Sequence, residues 1–258
     1  MTAETAYRLV KADGTVESGR DTVIHEHFME ISVNCIPILR LSCTPMYINE
    51  LIVGRLYTEG IIDDINEIDR LFVCAGGSLA EVTLCKPVVV SENTGSLNPC
   101  LPTEPTCCTD NRSLTSTEGR RQMKALPSTC PDDRAVFSLA GRFTKDSKLH
   151  KTTSGTHCCY LYAPDGGIHE FEDISRHNAV DKAVGYALLN DIDRNRCMIY
   201  TTGRIPEDMA RKAIMSGIPV LISKSVPTDA AIKLACEYGL TLICNAWPDS
   251  YRIAAFQH

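Results

Sequence analysis

The sequence predicts an α/β protein: a C-terminal sheet flanked by helices, preceded by a smaller α+β unit. Three observations carry that prediction. From residue 196 onward, short runs rich in Ile, Leu and Val alternate with segments of helical period, as in strands joined by right-handed helical crossovers. Before residue 92, extended runs gather around a single helix. Between the halves, Ser91–Pro131 loses all apolar periodicity and carries five prolines (Pro99, Pro102, Pro105, Pro127, Pro131). The expected division is therefore an N-terminal α+β domain over 1–92, a linker loop over 93–131, and an α/β domain over 132–258.

Taken in order, Phe28–Val33 and Pro37–Leu41 read as strands separated by the turn-like pair Asn34-Cys35. Thr44 and Pro45 read as the cap and first position of a helix whose apolar residues Ile48, Leu51, Ile52, Leu56 and Tyr57 recur at helical spacing, with Gly60 as its C-cap. Ile68–Cys74 and Glu81–Val90 read as strands. After the linker, a helix from about Asp132 places Val136, Leu139, Ala140 and Phe143 on one face. Thr152–Ala163 reads as extended, turning at Asp165-Gly166-Gly167 into a return strand near Ile168–Phe171. Then follow strand Arg196–Thr201, helix Pro206–Ser216, strand Ile218–Ile222, helix Thr228–Tyr238, strand Leu240–Cys244 and an edge strand at Tyr251–Phe256. This alternation predicts a mainly parallel sheet covered on both faces, with ligands received outside the carboxyl ends of its strands.

Composition narrows the function classes. With 258 residues, 44% hydrophobic and 22% charged, the chain suits a soluble globular protein with a sizeable core. A formal net charge of −6 argues against general nucleic-acid binding. No run of about 18 apolar residues suggests a membrane span, and Met1-Thr2-Ala3-Glu4 lacks the pattern of a secretory leader. The 13 cysteines are odd in number, and Cys74, Cys85, Cys197, Cys236 and Cys244 sit in apolar surroundings. Reduced thiols in a cytoplasm are the expectation, rather than a disulfide framework. Cys100, Cys107, Cys108 and Cys130 lie in the polar linker and are the ones placed to react.

The most telling stretch is Glu172–Gly185. Ala179, Val180, Ala183, Val184, Ala187 and Leu188 share one helical face, and Ser175 or Asp173 can cap the helix. Its first turn carries Arg176, His177 and Lys182 beside free backbone N–H groups, a plausible anion site. The same residues also suit a capped surface helix in which Asp181 bridges Lys182 and Arg176 in solvent. Two strand ends point the same way. Thr202-Gly203-Arg204 and Ser223-Lys224-Ser225 each offer hydroxyls, backbone N–H groups and a cation before a helix, chemistry that suits phosphate. Asn245-Ala246-Trp247 ends a third strand beside them. A lone His157 reads first as a structural residue. A zinc deaminase needs His-x-Glu and Pro-Cys-x-x-Cys, and neither is present. Cys107 and Cys108 have access, with Arg112 the cation near them in sequence.

Taken together these stretches resemble the FdhD family, the accessory sulfurtransferases needed for active formate dehydrogenase. The resemblance lies in Ile31-Ser32-Val33-Asn34, in Cys43-Thr44-Pro45 continuing to Glu59-Gly60-Ile61-Ile62, and in Gly155-Thr156-His157. It continues through Glu172–Lys182 with its Arg-His-Asn-Ala-Val-Asp-Lys run, Thr202-Gly203-Arg204, Lys212 to Ser225, and Pro227-Thr228. It implies a cytidine-deaminase-like three-layer α/β/α C-terminal domain without zinc, in a cytoplasmic homodimer. It implies a sulfur atom received as persulfide from a cysteine desulfurase and passed to the molybdenum (or tungsten) bis-guanine-dinucleotide cofactor before insertion into formate dehydrogenase. Carried onto this chain, the sulfur carrier is Cys107. The cofactor would be held by His177, Lys182, Thr202, Gly203, Arg204, Ser223, Lys224 and the segment Asn245, Ala246, Trp247, Pro248, Asp249 and Ser250. The chain departs from the family pattern where Asp110 replaces the second cysteine of Ser-Cys-Gly-x-Cys-Gly and its glycines are gone. It departs also at Ser175 for glycine, at Pro206 for serine, and at Asn245-Ala246-Trp247, which lacks the usual aromatic and arginine. A cofactor-binding chaperone without transfer chemistry is the alternative, and a redox pair of Cys107 and Cys108 a third, disfavoured by the strain of a vicinal disulfide.

Overall fold

The computed structural model describes residues 1–86, 121–145 and 147–256. The chain opens on β1 (Thr2–Val10) and β2 (Val16–Ile24), an antiparallel hairpin turned at Gly14 with φ 87°. The sequence reading assigns no element here, because the run buries neither face: Tyr7, Leu9, Val10 and Val16 all remain exposed.

A four-stranded sheet follows, built from β3 (His27–Val33), β4 (Ile36–Cys43), β5 (Ile68–Val73) and β6 (Leu79–Leu84) in the order β4-β3-β6-β5. The turn expected at Asn34-Cys35 is present, and both residues take the positive φ (49° and 65°) that a two-residue type I′ hairpin requires. Helix α1 (Ile48–Thr58) begins later than Pro45 predicts. Thr44 is committed to distant partners, and Tyr47, left-handed at φ 53°, holds the N-cap position instead. Gly60, at φ 71°, terminates the helix as its sequence position suggests.

The remainder forms a second sheet with its helices: α2 (Asp133–Lys145), α3 (Lys148–Thr153), β7 (His157–Tyr162), β8 (Ile168–Asp173), α4 (Arg176–Leu189), β9 (Met198–Thr201), α5 (Glu207–Ser216), β10 (Val220–Ser223), α6 (Asp229–Tyr238), β11 (Thr241–Cys244) and β12 (Arg252–Ala255). Its six strands run β12-β11-β10-β9-β7-β8. Only β9, β10 and β11 are mutually parallel; β7 is antiparallel to β8 and β9, and β12 to β11. The expectation of a mainly parallel sheet is thus corrected. A tight turn joins β7 to β8 and a short connection joins β11 to β12, and neither is long enough for a parallel crossover. The extended reading of Thr152 and Thr153 is also corrected. Lys148–Thr153 is a short helix because the Glu172 carboxylate accepts from the N–H groups of Leu149 (3.0 Å) and His150 (2.7 Å).

Strand side chains alternate between two cores. Cys158, Tyr160, Tyr200, Val220, Ile222 and Ile243 face α2 through Val136 and Leu139. Cys159, Leu161, Ile199, Leu221 and Leu242 face the other way, into a larger core with α4, α5 and α6. That larger core continues into α1 and the four-stranded sheet, through Leu51, Ile52 and Leu56 to Met29, Ile31 and Val33. The contact between α1 and α4 is very close. A Cβ built on Gly54 would lie 1.8 Å from the Asp181 carbonyl oxygen, and one on Gly185 would lie 1.8 Å from that of Glu50, so only glycine fits at either place. Among the described residues, no helix is long and apolar enough to cross a membrane.

Candidate functional site

Because β9, β10 and β11 are parallel, their carboxyl ends lie along one edge of the sheet. Antiparallel β7 brings its first residues to the same edge, and β8 ends there opposite them: Cys159 pairs with Thr201, and His157 with Asp173. The edge is tightly laced. Thr202 N–H donates to the Cys158 carbonyl (3.1 Å), while its Oγ1 accepts from Cys158 N–H (3.1 Å). Ser223, wholly buried, donates to the Gly203 carbonyl at 2.6 Å and accepts from Ser225 N–H at 2.8 Å. Asn245, left-handed at φ 49°, donates its N–H to Ser225, and Ala246 donates to Ser223. Trp247 and Ser250 close a tight turn, leaving Trp247, Pro248, Asp249 and Ser250 exposed. The Lys224 ammonium lies 4.4 Å from the Phe143 ring centre and 4.9 Å from that of Trp247, which fixes a cation between two aromatic faces.

Helix α4 starts at this edge. Its N-cap Ser175 makes no side-chain cap bond, so the first-turn N–H groups are not closed off by it. His177 Nε2 lies 2.9 Å from Asp208 Oδ2 on the first turn of α5. Burial raises the Asp208 carboxyl, but the hydrogen bond and charge of His177 prevail and hold it below the usual range. Half-buried His157 is lowered from 6.5, first by desolvation and then by the charge of Arg176, so its ring favours the neutral form.

The structure thus brings His177, Thr202, Gly203, Arg204, Ser223, Lys224 and Asn245–Ser250 to one edge. It does not bring Lys182. That ammonium is fully buried and bonded to Asp173 Oδ2 (2.6 Å), Thr44 Oγ1 (2.8 Å), and the carbonyls of Thr44 and Glu172 (both 3.1 Å). It can offer nothing to a phosphate. Asp181 likewise lies inside rather than in solvent, accepting from Lys212 Nζ (2.9 and 3.0 Å) and Thr58 Oγ1 (2.7 Å), with Arg55 Nη1 at 3.4 Å. Neither Lys182 nor Arg176 is its partner. Cys107, Cys108, Asp110 and Arg112 lie outside the described residues. Two residues outside the predicted set join the edge: Asp208, and His157, which from sequence reads first as structural. Asp208 had one available signal, its place in the first turn of the helix following Thr202-Gly203-Arg204.

The model of the FdhD/NarQ family matches residues 24–257. The chain belongs to the FdhD/NarQ family. Among its relatives is the sulfur carrier protein FdhD of Streptomyces avermitilis, 30% identical over 94% of this chain and 92% of that protein. The same protein of Streptomyces coelicolor is 31% identical, covering 90% of this chain and 86% of the relative. That of Sulfurisphaera tokodaii is 30% identical over 90% and 89%. In fold, the chain matches a crystal structure from Desulfotalea psychrophila, described as a formate dehydrogenase accessory protein, with a TM-score of 0.79 over 98% of this chain and 96% of that one, at 24% identity. The family model begins at residue 24, so the hairpin β1–β2 lies almost wholly outside it. The mixed α/β architecture is that of an FdhD-type structure, and the relatives named above are sulfur carrier proteins.

Proposed function

We propose that this chain carries sulfur on Cys107 to the molybdenum bis-guanine-dinucleotide cofactor of a formate dehydrogenase. The observation that carries the reading is the family match over residues 24–257, whose relatives are sulfur carrier proteins. The strand-end edge supports it, since backbone N–H groups, the cation–π-held Lys224 and exposed Arg204 suit a ligand bearing phosphates. On this reading a Cys107 thiolate attacks the outer sulfur of a desulfurase persulfide. It becomes Cys107–S–SH and releases the donor thiolate, with no net redox change. Delivery of the outer sulfur to the reduced metal, which supplies two electrons, returns Cys107 as thiolate. One cysteine suffices for both steps, so Asp110 in place of a second thiol does not block them. Arg204, Lys224, Thr202, Gly203 and Ser223 would orient the phosphates, and Asn245–Ser250 would meet the far end of the nucleotide. We further infer that 132–258 is a cytidine-deaminase-like domain, an inference supported by its β7–β8 antiparallel lead and its three parallel strands. The protein would act as a cytoplasmic homodimer, with 1–92 as its second domain.

The test is persulfide mapping. Incubation with a cysteine desulfurase and cysteine, followed by peptide mass spectrometry, should place sulfane sulfur on Cys107, and a Cys107→Ser chain should fail to restore formate dehydrogenase in a deletion strain. Sulfane sulfur undiminished in that variant refutes the carrier assignment. The second reading, a chaperone that binds the cofactor without transferring sulfur, is favoured by Asp110. It predicts full complementation by Cys107→Ser.

A further inference from the structure

We propose that Arg176 is the phosphate anchor of this edge, holding one phosphate group between its guanidinium and the first-turn N–H groups of α4. The proposal rests on the strand-end binding reading above and assigns to Arg176 the part that Lys182 cannot play.

Arg176 is 7% exposed, and its Nε is buried without a hydrogen-bond partner. Among the described residues, no hydrogen bond or ion pair reaches the rest of its guanidinium. Buried charges in folded proteins are paired, because removing an unpaired charge from water is costly. Every carboxylate near this one is already committed. Asp173 holds Lys182, Thr44, Ser175 N–H and Asn178. Glu172 accepts from Leu149, His150 and Thr156, and Asp208 faces His177. Arg176 feels Asp208 only through its charge, with no ion pair between them, so among the described residues its guanidinium is left without a hydrogen-bonded partner.

The position of that cation is held by the sequence. A Cβ built on Gly203 would meet Arg176 Cβ and Cδ at 2.9 Å, so the arginine stem lies along the glycine backbone of the Thr202-Gly203-Arg204 turn. The arginine stem is thereby held between the β9 strand end and the start of α4, where Ser175 leaves the first-turn amides without a side-chain cap. A planar fork of N–H donors beside a helix start matches the geometry of a phosphate group, which it can grip through two parallel bonds. Exposed Arg204 stands one residue beyond Gly203, on the solvent side.

Isothermal titration with GDP tests this on the full chain, with inorganic pyrophosphate as a competitor and thermal melting without ligand as the structural readout. Arg176→Met should weaken GDP binding about 10- to 100-fold, the loss expected for charge-assisted hydrogen bonds. Its unliganded melting temperature should be no lower than wild type, because a buried charge without a partner has been removed. Arg176→Lys should fall between them, and pyrophosphate should compete with GDP on the wild type. An Arg176→Met chain that binds GDP within threefold of wild type overturns the proposal while leaving the strand-end site intact. So does one that melts well below wild type or fails to fold, since the guanidinium is then structural. Absence of GDP binding by the wild type overturns both the proposal and the reading it rests on.

Discussion

Replacing Asp181 by Asn should cost about 3 kcal/mol of stability. The carboxylate is wholly buried and joins three helices: its own α4, α1 through Thr58 and Arg55, and α5 through Lys212, whose ammonium lies 2.9 and 3.0 Å from its two oxygens. Asn preserves the volume, so no cavity opens and the loss is electrostatic. Removing one member of a buried pair costs about 3–5 kcal/mol, because the remaining charge is left in a poor solvent. Here Lys212 retains Thr58 Oγ1 at 3.0 Å and Glu59 at 3.5 Å, which sets the expected loss at the lower end. Urea unfolding followed by far-ultraviolet circular dichroism reads this as a midpoint lower by about 1 M, for a slope near 3 kcal/mol/M. A second measurement separates charge from packing. The double variant Asp181→Leu with Lys212→Met removes both charges and should recover most of the loss, giving a coupling energy of about 2 kcal/mol or more. An unmoved midpoint in Asp181→Asn, or a double variant as unstable as the sum of its singles, would refute the reasoning.

The glycine contact gives a steric counterpart: Gly185→Ala should destabilise by about 3 kcal/mol or more, lowering the melting temperature by about 6 °C, whereas Gly141→Ala, with nothing within 4 Å of its added Cβ, should be neutral or stabilising. His157, lowered from 6.5 in the folded chain, favours folding fully above that pH, and its contribution should fade as pH falls through the lowered value. Melting curves between pH 7.5 and 5 should therefore show a steeper acid loss for the wild type than for His157→Gln. Cys74 is lowered to about 7, chiefly by its hydrogen bond with Ser78 and then by the Leu79 N–H, while burial raises Cys43, Cys158 and Cys197 to about 12. Iodoacetamide at pH 7 should label Cys74 far ahead of those three, and Ser78→Ala should slow it several-fold, which makes Cys74 the necessary control in persulfide mapping.

What the sequence made legible was local or periodic. The Asn34-Cys35 turn, α2, α4, α5 and α6 announce themselves through turn residues and apolar spacing, and the strand ends converge because parallel strands alternate with helices. What it concealed depends on contacts distant in the chain. Thr44 looks like a helix cap, yet it serves Lys182 and Asp173 from 138 and 129 residues away. Lys182 looks like a surface cation for the same reason, since nothing within its own helix reveals that α1 covers it. Helix α3 has no apolar repeat and exists because Glu172, more than twenty residues on, caps it. Arg176 was legible as a cation at a helix start, but its lack of a hydrogen-bonded partner among the described residues was not. An absent partner is visible only once the neighbouring carboxylates have been placed.

The bond between Thr44 and Lys182 also sets a timetable. Synthesis at 5–20 residues per second separates the two by roughly 7 to 28 seconds. For most of that interval α1 exists with its glycine-lined face waiting for a helix not yet made, while Leu51, Ile52 and Leu56 can already meet Met29, Ile31 and Val33. The close contact of α1 with α4 and the polar lock around Lys182 therefore form only when nearly three quarters of the chain exists.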